Sequence, residues 1–251
     1  MGADLDLALR LADAADTIAL ASFRSRGLVV ETKPDRTPVT EADRAVEAEL
    51  RTMLALERRR DAIVGEEGGA HGEGPRRWIV DPIDGTRNYS RGVPVWATLI
   101  ALEEHGNVVL GVVSAPALHR RWWAERGGGA HADGDQVRVS RVARAEDAVL
   151  TFALEQPLPG LAARAWHARG YGDFWSHMLV AEGAVDGAID AIGVSVWDLA
   201  AVQVIVEEAG GTFTDFRGER TIYGGSAISS NGLLHQELLE AVKELAPPTP
   251  G

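Results

Sequence analysis

The sequence predicts an α/β protein. Amphipathic helical segments open the chain, short apolar strands each end in acidic residues, and strand and helix segments alternate in the second half. The 251 residues suffice for one large domain or for two smaller units that share a core. Because the composition becomes charged around residues 140–147, we divide the chain into an amino-terminal α+β half, 1–145, and a carboxyl-terminal α/β half, 146–251, of a single compact unit.

Apolar residues at helical spacing predict two helices in the first half. One spans 4–24 with Gly27 as its stop signal, and the next starts after Thr40, whose hydroxyl suits a helix N-cap. Short apolar runs then predict strands. These strands are 63–64, 78–80, 98–102, 108–113, 121–124 and 137–139.

The second half alternates between predicted strands and helices. The strands are 149–153, 187–192 and 211–215, and the helices are 160–168, 174–186, 198–209 and 233–245. Gly210-Gly211 closes the helix before the last of these strands. The proline-rich segment 247–250 is expected to be a frayed tail.

Composition limits the classes of function. A formal net charge of −12 argues against nucleic-acid binding, which depends on Lys and Arg contacts to phosphates, and an anionic substrate would need bound cations to reverse the local field. The absence of cysteine excludes zinc–thiolate sites, disulfides and cysteine nucleophiles. Residues 1–10 show no signal peptide and no apolar run has membrane-spanning length, so we expect a cytoplasmic protein with no membrane partner.

Five carboxylates stand at or near the ends of predicted elements, in four separate segments: Asp43, Glu66, Asp81, Asp84 and Asp198. Clustered carboxylates repel one another unless cations neutralise them, and oxygen ligands suit Mg²⁺ in particular. Asp81 and Asp84 flank Pro82-Ile83, so a turn lets both carboxylates converge while the Ile83 carbonyl can point inward.

Gly85-Thr86 follows this pair directly. If a helix starts here, its free N–H groups form a cradle for a phosphate, and Gly85 lets the backbone approach closely. Thr86 supplies a hydroxyl that can orient a water. Metal ligands beside an anion cradle predict metal-assisted hydrolysis of a phosphate monoester, by in-line attack of a metal-activated water and without a covalent phosphoenzyme.

Four of the five carboxylates also have a purely structural explanation. Asp43 fits the last position of a Thr-x-x-Asp helix start, and Asp198 lies where a helix N-terminus favours Asp. Asp84-Gly85 is an ordinary turn sequence, and Glu66-Glu67 before two glycines fits a solvated turn. The functional interpretation depends on the joint pattern and on its order along the chain.

Four segments carry a resemblance to a known family. They are Pro38-Val39-Thr40-Glu41-Ala42-Asp43, Gly65-Glu66-Glu67, residues 78–86 with Asn88-Tyr89, and residues 197–201 followed by Glu208-Ala209-Gly210-Gly211. On these motifs the sequence resembles the inositol monophosphatase family of Mg²⁺-dependent, Li⁺-sensitive phosphatases over nearly its whole length. The resemblance implies a layered αβαβα sandwich of the inositol monophosphatase and sugar phosphatase type, usually a homodimer.

The resemblance also implies the ligands of the metal ions. Glu66, Asp81 and the Ile83 carbonyl would hold the first Mg²⁺, and Asp81, Asp84 and Asp198 would hold the second. Glu66 would also help to bind a weaker third ion. Two or three ions are therefore expected per site, with Mn²⁺ as a substitute and Li⁺ as an inhibitor.

The remaining roles implied by the resemblance concern catalysis and phosphate binding. Glu66 would position the attacking water, and Thr86 and Asp43 would activate it through a hydrogen-bond relay. The N–H groups of Gly85 and Thr86 would contact the phosphate. Lys33 lies in a loop that approaches the site in this family.

Residues 33–43 and 169–177 most resemble the histidinol-phosphatase branch, which implies a histidinol-phosphate phosphatase of histidine biosynthesis. That substrate carries an amine and an imidazole, with which Asp173 and Asp190 could pair in a desolvated pocket. Asp173 also fits a helix N-cap, while His177 and Trp175 are expected to pack in the core.

Asp190 departs from the family pattern. Family members often carry a substrate-binding acid seven residues before the position of Asp198, but here that position is Ala191. A shift of one residue on a strand turns a side chain to the other face, so Asp190 would reach the substrate only through a local bulge. The alternative is a solvated residue at a strand edge.

Other functions compatible with the sequence are an inositol-1-monophosphatase or a broad-specificity sugar-phosphate phosphatase. A 3′-phosphonucleotide phosphatase ranks lower, because no added basic patch is present for a second phosphate. A non-catalytic regulator on the same fold is disfavoured, because all the expected catalytic positions are filled.

Overall fold

The computed structural model describes residues 2–25, 27–33, 37–154 and 158–243. Its helices are α1 (Ala3–Ser22), α2 (Glu41–Glu57), α3 (Thr86–Ser90), α4 (Pro159–Arg164), α5 (Asp173–Ala181), α6 (Val196–Glu208) and α7 (His235–Val242). The predicted tail at 247–250 and the end of the predicted last helix lie outside the described residues. Among the helices in this part of the chain, none combines the length and the hydropathy that crossing a bilayer requires.

The strands of the first half form a hairpin and a large sheet. The hairpin pairs β1 (Val30–Thr32) with β2 (Pro38–Thr40). The sheet contains β3 (Ala62–Gly65), β4 (Gly69–His71), β5 (Arg76–Asp84), β6 (Ala97–Glu104), β7 (Asn107–Ala115), β8 (Arg120–Glu125), β9 (Ala130–Ala132) and β10 (Asp135–Val137). Within the described residues its order is β10-β9-β8-β7-β6-β5-β3-β4, antiparallel throughout except for the parallel pair β3 and β5.

A smaller mixed sheet belongs to the second half. Its strands are β11 (Val149–Ala153), β12 (His167–Arg169), β13 (Gly187–Asp190), β14 (Thr212–Thr214) and β15 (Ala227–Ser230). The described strands follow the order β12-β11-β13-β15-β14. The division of the chain at residues 145 and 146 stays a prediction.

The elements stack in five layers, so the αβαβα prediction is confirmed. Helices α1 and α2 cover one face of the large sheet, α5 and α6 lie between the two sheets, and α4 and α7 belong to the outer layer beside the small sheet. Along β5, Trp78 and Val80 face α1 and α2, whereas Ile79 faces the central helices. This alternation follows from the two-residue period of a strand, and both faces are apolar because both are covered.

Two predicted helices needed correction, and some strands, among them β12 and β15, were not predicted. The predicted helix 160–168 ends at Arg164, and His167–Arg169 instead forms β12 beside β11, where its backbone gains hydrogen bonds at the sheet edge. The predicted helix 174–186 ends at Ala181, because Gly183 turns the chain with a φ of +73°. Strand β15 was not predicted, since the four residues Ala227–Ser230 are half polar and carry no periodic signal.

The topology places several element ends at one location. Strands β3 and β5 run parallel, with Gly65 opposite Val80. Glu66, which follows Gly65, and Asp81, which follows Val80, are therefore neighbours. The central helices α5 and α6 begin beside this edge, with Asp173 and Asp198 in their first turns. Rigid strand ends and helix starts therefore surround one cleft, a common location for a binding site.

Candidate active site

The segment from Asp81 to Thr86 contains the irregular end of β5, a turn at Gly85 and the first residue of α3. The Asp81 carboxylate accepts a hydrogen bond of 3.0 Å from the N–H of Ile83, and the pairing with β6 becomes irregular between Asp81 and Asp84. Gly85 has a φ of +81°, and a Cβ there would lie 3.0 Å from the carbonyl oxygen of Val95. Glycine is required here, and α3 starts directly after it, as the sequence predicts.

Three carboxylates meet beside this turn. One oxygen each of Asp81, Asp84 and Asp198 can be chosen so that all lie within 4.8 Å of one another. Asp198 comes from the first turn of α6, where it accepts a hydrogen bond from the N–H of Ser195. Asp198 therefore both caps α6 and belongs to the carboxylate cluster, so the two explanations of this residue do not exclude each other.

The three carboxylates titrate far from their ordinary range. Burial, followed by the charges of Glu66 and Asp84, raises the pKa of Asp81 well above 3.8. Burial and the charge of Asp173 do the same to the pKa of Asp84. Burial raises the pKa of Asp198 to about 7, against the N–H of Ser195, which acts to lower it. For all three groups to be ionised at neutral pH a cation must offset their charges, and an all-oxygen set fits a hard divalent ion.

Glu66 reaches the same cavity but stands outside the group of three. Its carboxylate lies 2.6 Å from Nζ of Lys33, which also pairs with Glu67. Burial acts to lower the pKa of Lys33, but the hydrogen bonds to Glu66 and Glu67 outweigh it and raise that pKa. Lys33 therefore places a positive charge against Glu66 and Glu67 but is not among the residues that line the cavity, and its role in substrate binding stays a prediction.

Asp43 uses its two carboxylate oxygens for different purposes. Oδ2 accepts hydrogen bonds from the N–H and the hydroxyl of Thr40, which completes the capping box of α2. Oδ1 lies 3.2 Å from Oγ1 of Thr86, whose hydroxyl is also 2.9 Å from the carbonyl oxygen of Ile83. Asp43 therefore caps α2 with one oxygen and contacts Thr86 with the other, and its part in catalysis stays a prediction.

The cavity beside these residues has a volume of about 310 Å³. Besides the metal-site candidates, its lining includes Asp173, Asp190, His177 and Arg87. Burial, followed by the charge of Asp190, raises the pKa of Asp173 to about 6. The cavity thus has, besides the three clustered carboxylates, Asp190 at the end of β13 and Asp173 beside Gly85.

Asp190 is placed differently from the sequence expectation. Strand β13 pairs in continuous register, with Asp190 opposite Ala153 and Ala227, so no bulge brings the side chain to the cavity. The side chain is only 5% exposed, and the alternative of a solvated edge residue is wrong. The physical reason is that β13 lies inside its sheet and ends against α5, so the strand end itself opens into the cleft.

The positions of Asp173 and His177 also needed correction. Gly172, not Asp173, is the N-cap of α5, and Asp173 is the first helical residue with a φ of +49°. His177 packs near Phe213, as predicted for a core residue, but its ring also lines the cavity. Its Nδ1 lies 2.7 Å from Oγ of Ser229, and its Nε2 lies 3.8 Å from the Asp190 carboxylate.

Trp175, also predicted to pack in the core, contacts Tyr171 edge to face beside the central helices.

Sequence reasoning missed the residues that support the site by hydrogen bonds. Glu47 and Arg51 follow Asp43 at intervals of four residues on α2 and bind the turn after β3. That helical spacing was the available signal. The N–H of Phe174, which binds Asp84, left no signal in the sequence because its partner is 90 residues away.

A family profile described as the inositol monophosphatase family matches residues 4–246. The chain is 52% identical to a histidinol-phosphatase of Mycobacterium tuberculosis (strain ATCC 25618 / H37Rv), covering 94% of this chain and 96% of the relative. It is 49% identical to a histidinol-phosphatase of Streptomyces coelicolor (strain ATCC BAA-471 / A3(2) / M145), covering 94% and 95%. A fructose-1,6-bisphosphatase/inositol-1-monophosphatase of Thermotoga maritima is 37% identical, covering 82% and 83%.

Solved structures agree with the fold. An IMPase of Thermotoga maritima superposes with a TM-score of 0.89 at 34% identity, covering 96% of this chain and 97% of that chain. The suhB protein of Bartonella henselae superposes with a TM-score of 0.90 at 30% identity, covering 97% and 99%.

Proposed function

The chain belongs to the inositol monophosphatase family and is a phosphomonoester hydrolase, and from that premise we propose that its substrate is histidinol phosphate. Three relatives at 42–52% identity are named histidinol-phosphatases. In this chain, the observation that carries the proposal is a further pair of carboxylates, the partly exposed Asp173 and the buried Asp190, that lines the same cavity as the three clustered ones.

The charge of the substrate explains why this pair matters. Histidinol phosphate carries an anionic phosphate at one end and an amine with an imidazole at the other. The phosphate belongs beside the metal ligands and the start of α3, so the cationic groups would reach toward Asp173 and Asp190. A charge-assisted hydrogen bond in a largely buried cavity is stronger than one between neutral groups. Inositol phosphate offers only hydroxyls and would gain less from two carboxylates.

The family is generally metal-dependent, and the residues present fit Mg²⁺. Asp81, Asp84 and Asp198 would hold it together with Glu66 and the carbonyl of Ile83. When bound, the ions neutralise the carboxylates, polarise the phosphate and make a water a better nucleophile. Two or three ions, replacement by Mn²⁺ and inhibition by Li⁺ are part of the same proposal.

The remaining residues of the turn would orient the water and the phosphate. The Asp43 carboxylate, 3.2 Å away, would accept a hydrogen bond from the Thr86 hydroxyl and so leave a lone pair of that oxygen for the cavity. Thr86 would then accept a hydrogen bond from the attacking water and direct the water at phosphorus. Glu66, in the turn between β3 and β4, would position the same water. The N–H groups of Gly85 and Thr86 would contact the phosphate, and Lys33 would add a positive charge at the cavity entrance.

An inositol-1-monophosphatase is the second candidate. The Thermotoga maritima relative named for that activity is 37% identical, and the metal-site residues alone do not distinguish the two substrates. A homodimeric assembly and a cytoplasmic location stay predictions.

The experiment that tests the proposal measures phosphate release from histidinol phosphate and from inositol 1-phosphate side by side, with and without EDTA. We expect preferential turnover of histidinol phosphate, and loss of all activity on chelation. Equal or faster turnover of the inositol ester would overturn the substrate assignment. Activity that survives full chelation would overturn the role of the metal.

A further inference from the structure

Glu47 lies one helical turn after Asp43 on α2, and its side chain is buried with only 2% exposure. Its carboxylate accepts hydrogen bonds from the N–H of Glu67 at 2.7 Å and from the N–H of Gly68 at 2.8 Å. These two residues follow Glu66 in the turn between β3 and β4. Glu47 therefore binds the backbone of the turn between β3 and β4 directly, and it is not among the residues that line the cavity.

The turn is shaped to fit this carboxylate. A Cβ on Gly65 would lie 2.4 Å from an oxygen of Glu47, and a Cβ on Gly68 would lie 2.7 Å from the same oxygen. Side chains at these positions would displace Glu47, so glycine on both sides of Glu66-Glu67 lets the backbone close around the carboxylate. The glycines at 65 and 68 are thus explained by a contact rather than by backbone conformation alone.

Arg51 completes the support. Its Nε donates a hydrogen bond of 2.7 Å to Glu47, and its Nη2 donates one of 2.5 Å to the carbonyl oxygen of Gly69. The guanidinium compensates the buried charge of Glu47 and ties the far end of the turn to α2. One face of α2 therefore has two roles. Asp43 contacts Thr86, and Glu47 and Arg51 bind the turn between β3 and β4 that contains Glu66.

We propose that Glu47 is a positioning residue that sets the direction in which Glu66 faces the cavity, and that it thereby controls divalent-cation affinity and turnover. The inference rests on the proposed function insofar as Glu66 serves there as a metal ligand. Hydrogen-bond partners that orient metal ligands typically change metal affinity or activity by about 10–100-fold. A glutamine at this position keeps the volume but has one acceptor oxygen for two N–H groups, so the turn loses one of its two anchors.

The test compares Glu47→Gln with Glu49→Gln, a matched change on an exposed residue of the same helix. Calorimetric titration with Mg²⁺ should show a dissociation constant about tenfold higher for Glu47→Gln and unchanged for Glu49→Gln. In the metal-free protein, the amides of Glu67 and Gly68 should exchange with deuterium about tenfold faster. At saturating Mg²⁺, kcat should fall about tenfold while KM stays within about twofold, because Glu47 does not line the cavity.

If Glu47→Gln does not fold, a second variant tests the same proposal. Arg51→Gln changes a partly exposed side chain and removes the partner of Glu47, so the same pattern should appear at roughly threefold. A folded variant at either position with wild-type Mg²⁺ affinity, amide exchange and kcat would overturn the proposal, and so would a loss of thermal stability alone. If the wild-type protein hydrolyses no phosphate monoester, the proposed function fails, whereas the Mg²⁺ titration and the amide exchange still test Glu47.

Discussion

The main-chain N–H of Phe174 donates a hydrogen bond of 2.7 Å to Oδ2 of Asp84. Asp84 ends a strand of the large sheet, and Phe174 lies in the first turn of α5 in the second half of the chain. A free N–H at a helix start is a good donor to a carboxylate. This bond joins the large sheet to a central helix, and the geometry of the carboxylate cluster therefore depends on how the two elements pack.

Replacing Asp84 by Asn should abolish turnover without unfolding the protein. The amide oxygen can still accept from Phe174, but the negative charge needed to hold a divalent cation is lost. We expect phosphate release to fall by at least about a hundredfold, with a thermal midpoint in EDTA equal to or above that of the wild type, because one like charge leaves a buried cluster. Asp135→Asn, at an exposed strand position, is the control. Near-normal activity of Asp84→Asn would contradict the metal assignment.

The metal-free protein should become less stable as the pH rises from about 4 to about 7. The pKa of Asp198 is about 7 in the folded protein and 3.8 as its ordinary value, so between these values the folded state holds a proton that the unfolded state has released. Stability therefore falls with increasing pH across this window, and bound Mg²⁺ should restore it most above pH 7.

Thermal unfolding in EDTA and in Mg²⁺, measured across this pH range, tests the expectation. His235 acts in the opposite direction, because burial lowers its pKa below 6.5 and its contribution is lost as the pH falls. The informative quantity is thus the difference between the wild type and Asp198→Asn. We expect the thermal midpoint of the variant in EDTA to depend less on pH than that of the wild type. Identical slopes would show that Asp198 does not cause the loss of stability.

Thr86→Val should lose turnover while Thr86→Ser keeps most of it. Valine has nearly the shape of threonine but cannot pass a proton to Asp43 or accept a hydrogen bond from water. We expect kcat to fall by about 10²–10⁴-fold, the usual range for a positioned proton-transfer group, with a small change in KM. Steady-state kinetics at saturating Mg²⁺ provide the measurement. Similar kcat values for the valine and serine variants would show that the hydroxyl has no part in the reaction.

Asp190→Asn should reduce the preference for histidinol phosphate. The variant keeps the size of the side chain but removes the charge that would pair with a cationic group, and hydrogen bonds to charged groups contribute about 1.5–3 kcal/mol. The kcat/KM for histidinol phosphate should therefore fall about tenfold or more, whereas that for inositol 1-phosphate should change little. An equal loss for both esters would indicate a general role of Asp190 in the site and not selectivity.

Asp173→Asn should act in the same direction. Asparagine tolerates the positive φ of this position, so the backbone of α5 should not change. The pKa of Asp173 is about 6, and its pairing with a cation should strengthen as the carboxyl ionises above that pH. Because the substrate's imidazole loses its proton near the same pH, the informative quantity is the difference between the two proteins: the selectivity for histidinol phosphate over inositol 1-phosphate should change more favourably between pH 5 and 7 in the wild type than in the variant. The same pH dependence of this ratio in both proteins would exclude the role of Asp173.

The sequence by itself determined the features that depend on neighbours a few residues apart. The capping box of Thr40 and Asp43, the turn from Asp81 to Gly85 and the periodic helices all follow from hydrogen bonds and side-chain spacing within one or two helical turns. These interactions depend on nearby residues and not on the position of the segment in the fold, so the local sequence is enough to predict them. The family motifs extended this to the layered architecture.

Only the tertiary structure decided which of these local features meet. The second oxygen of Asp43 contacts Thr86, the N–H of Phe174 contacts Asp84, and Asp190 is buried at the cleft instead of solvated at an edge. Strand β15 and the support from Glu47 belong to the same class. Their partners lie far away along the chain, and the order of strands in a sheet, which no local pattern encodes, sets the distance between them.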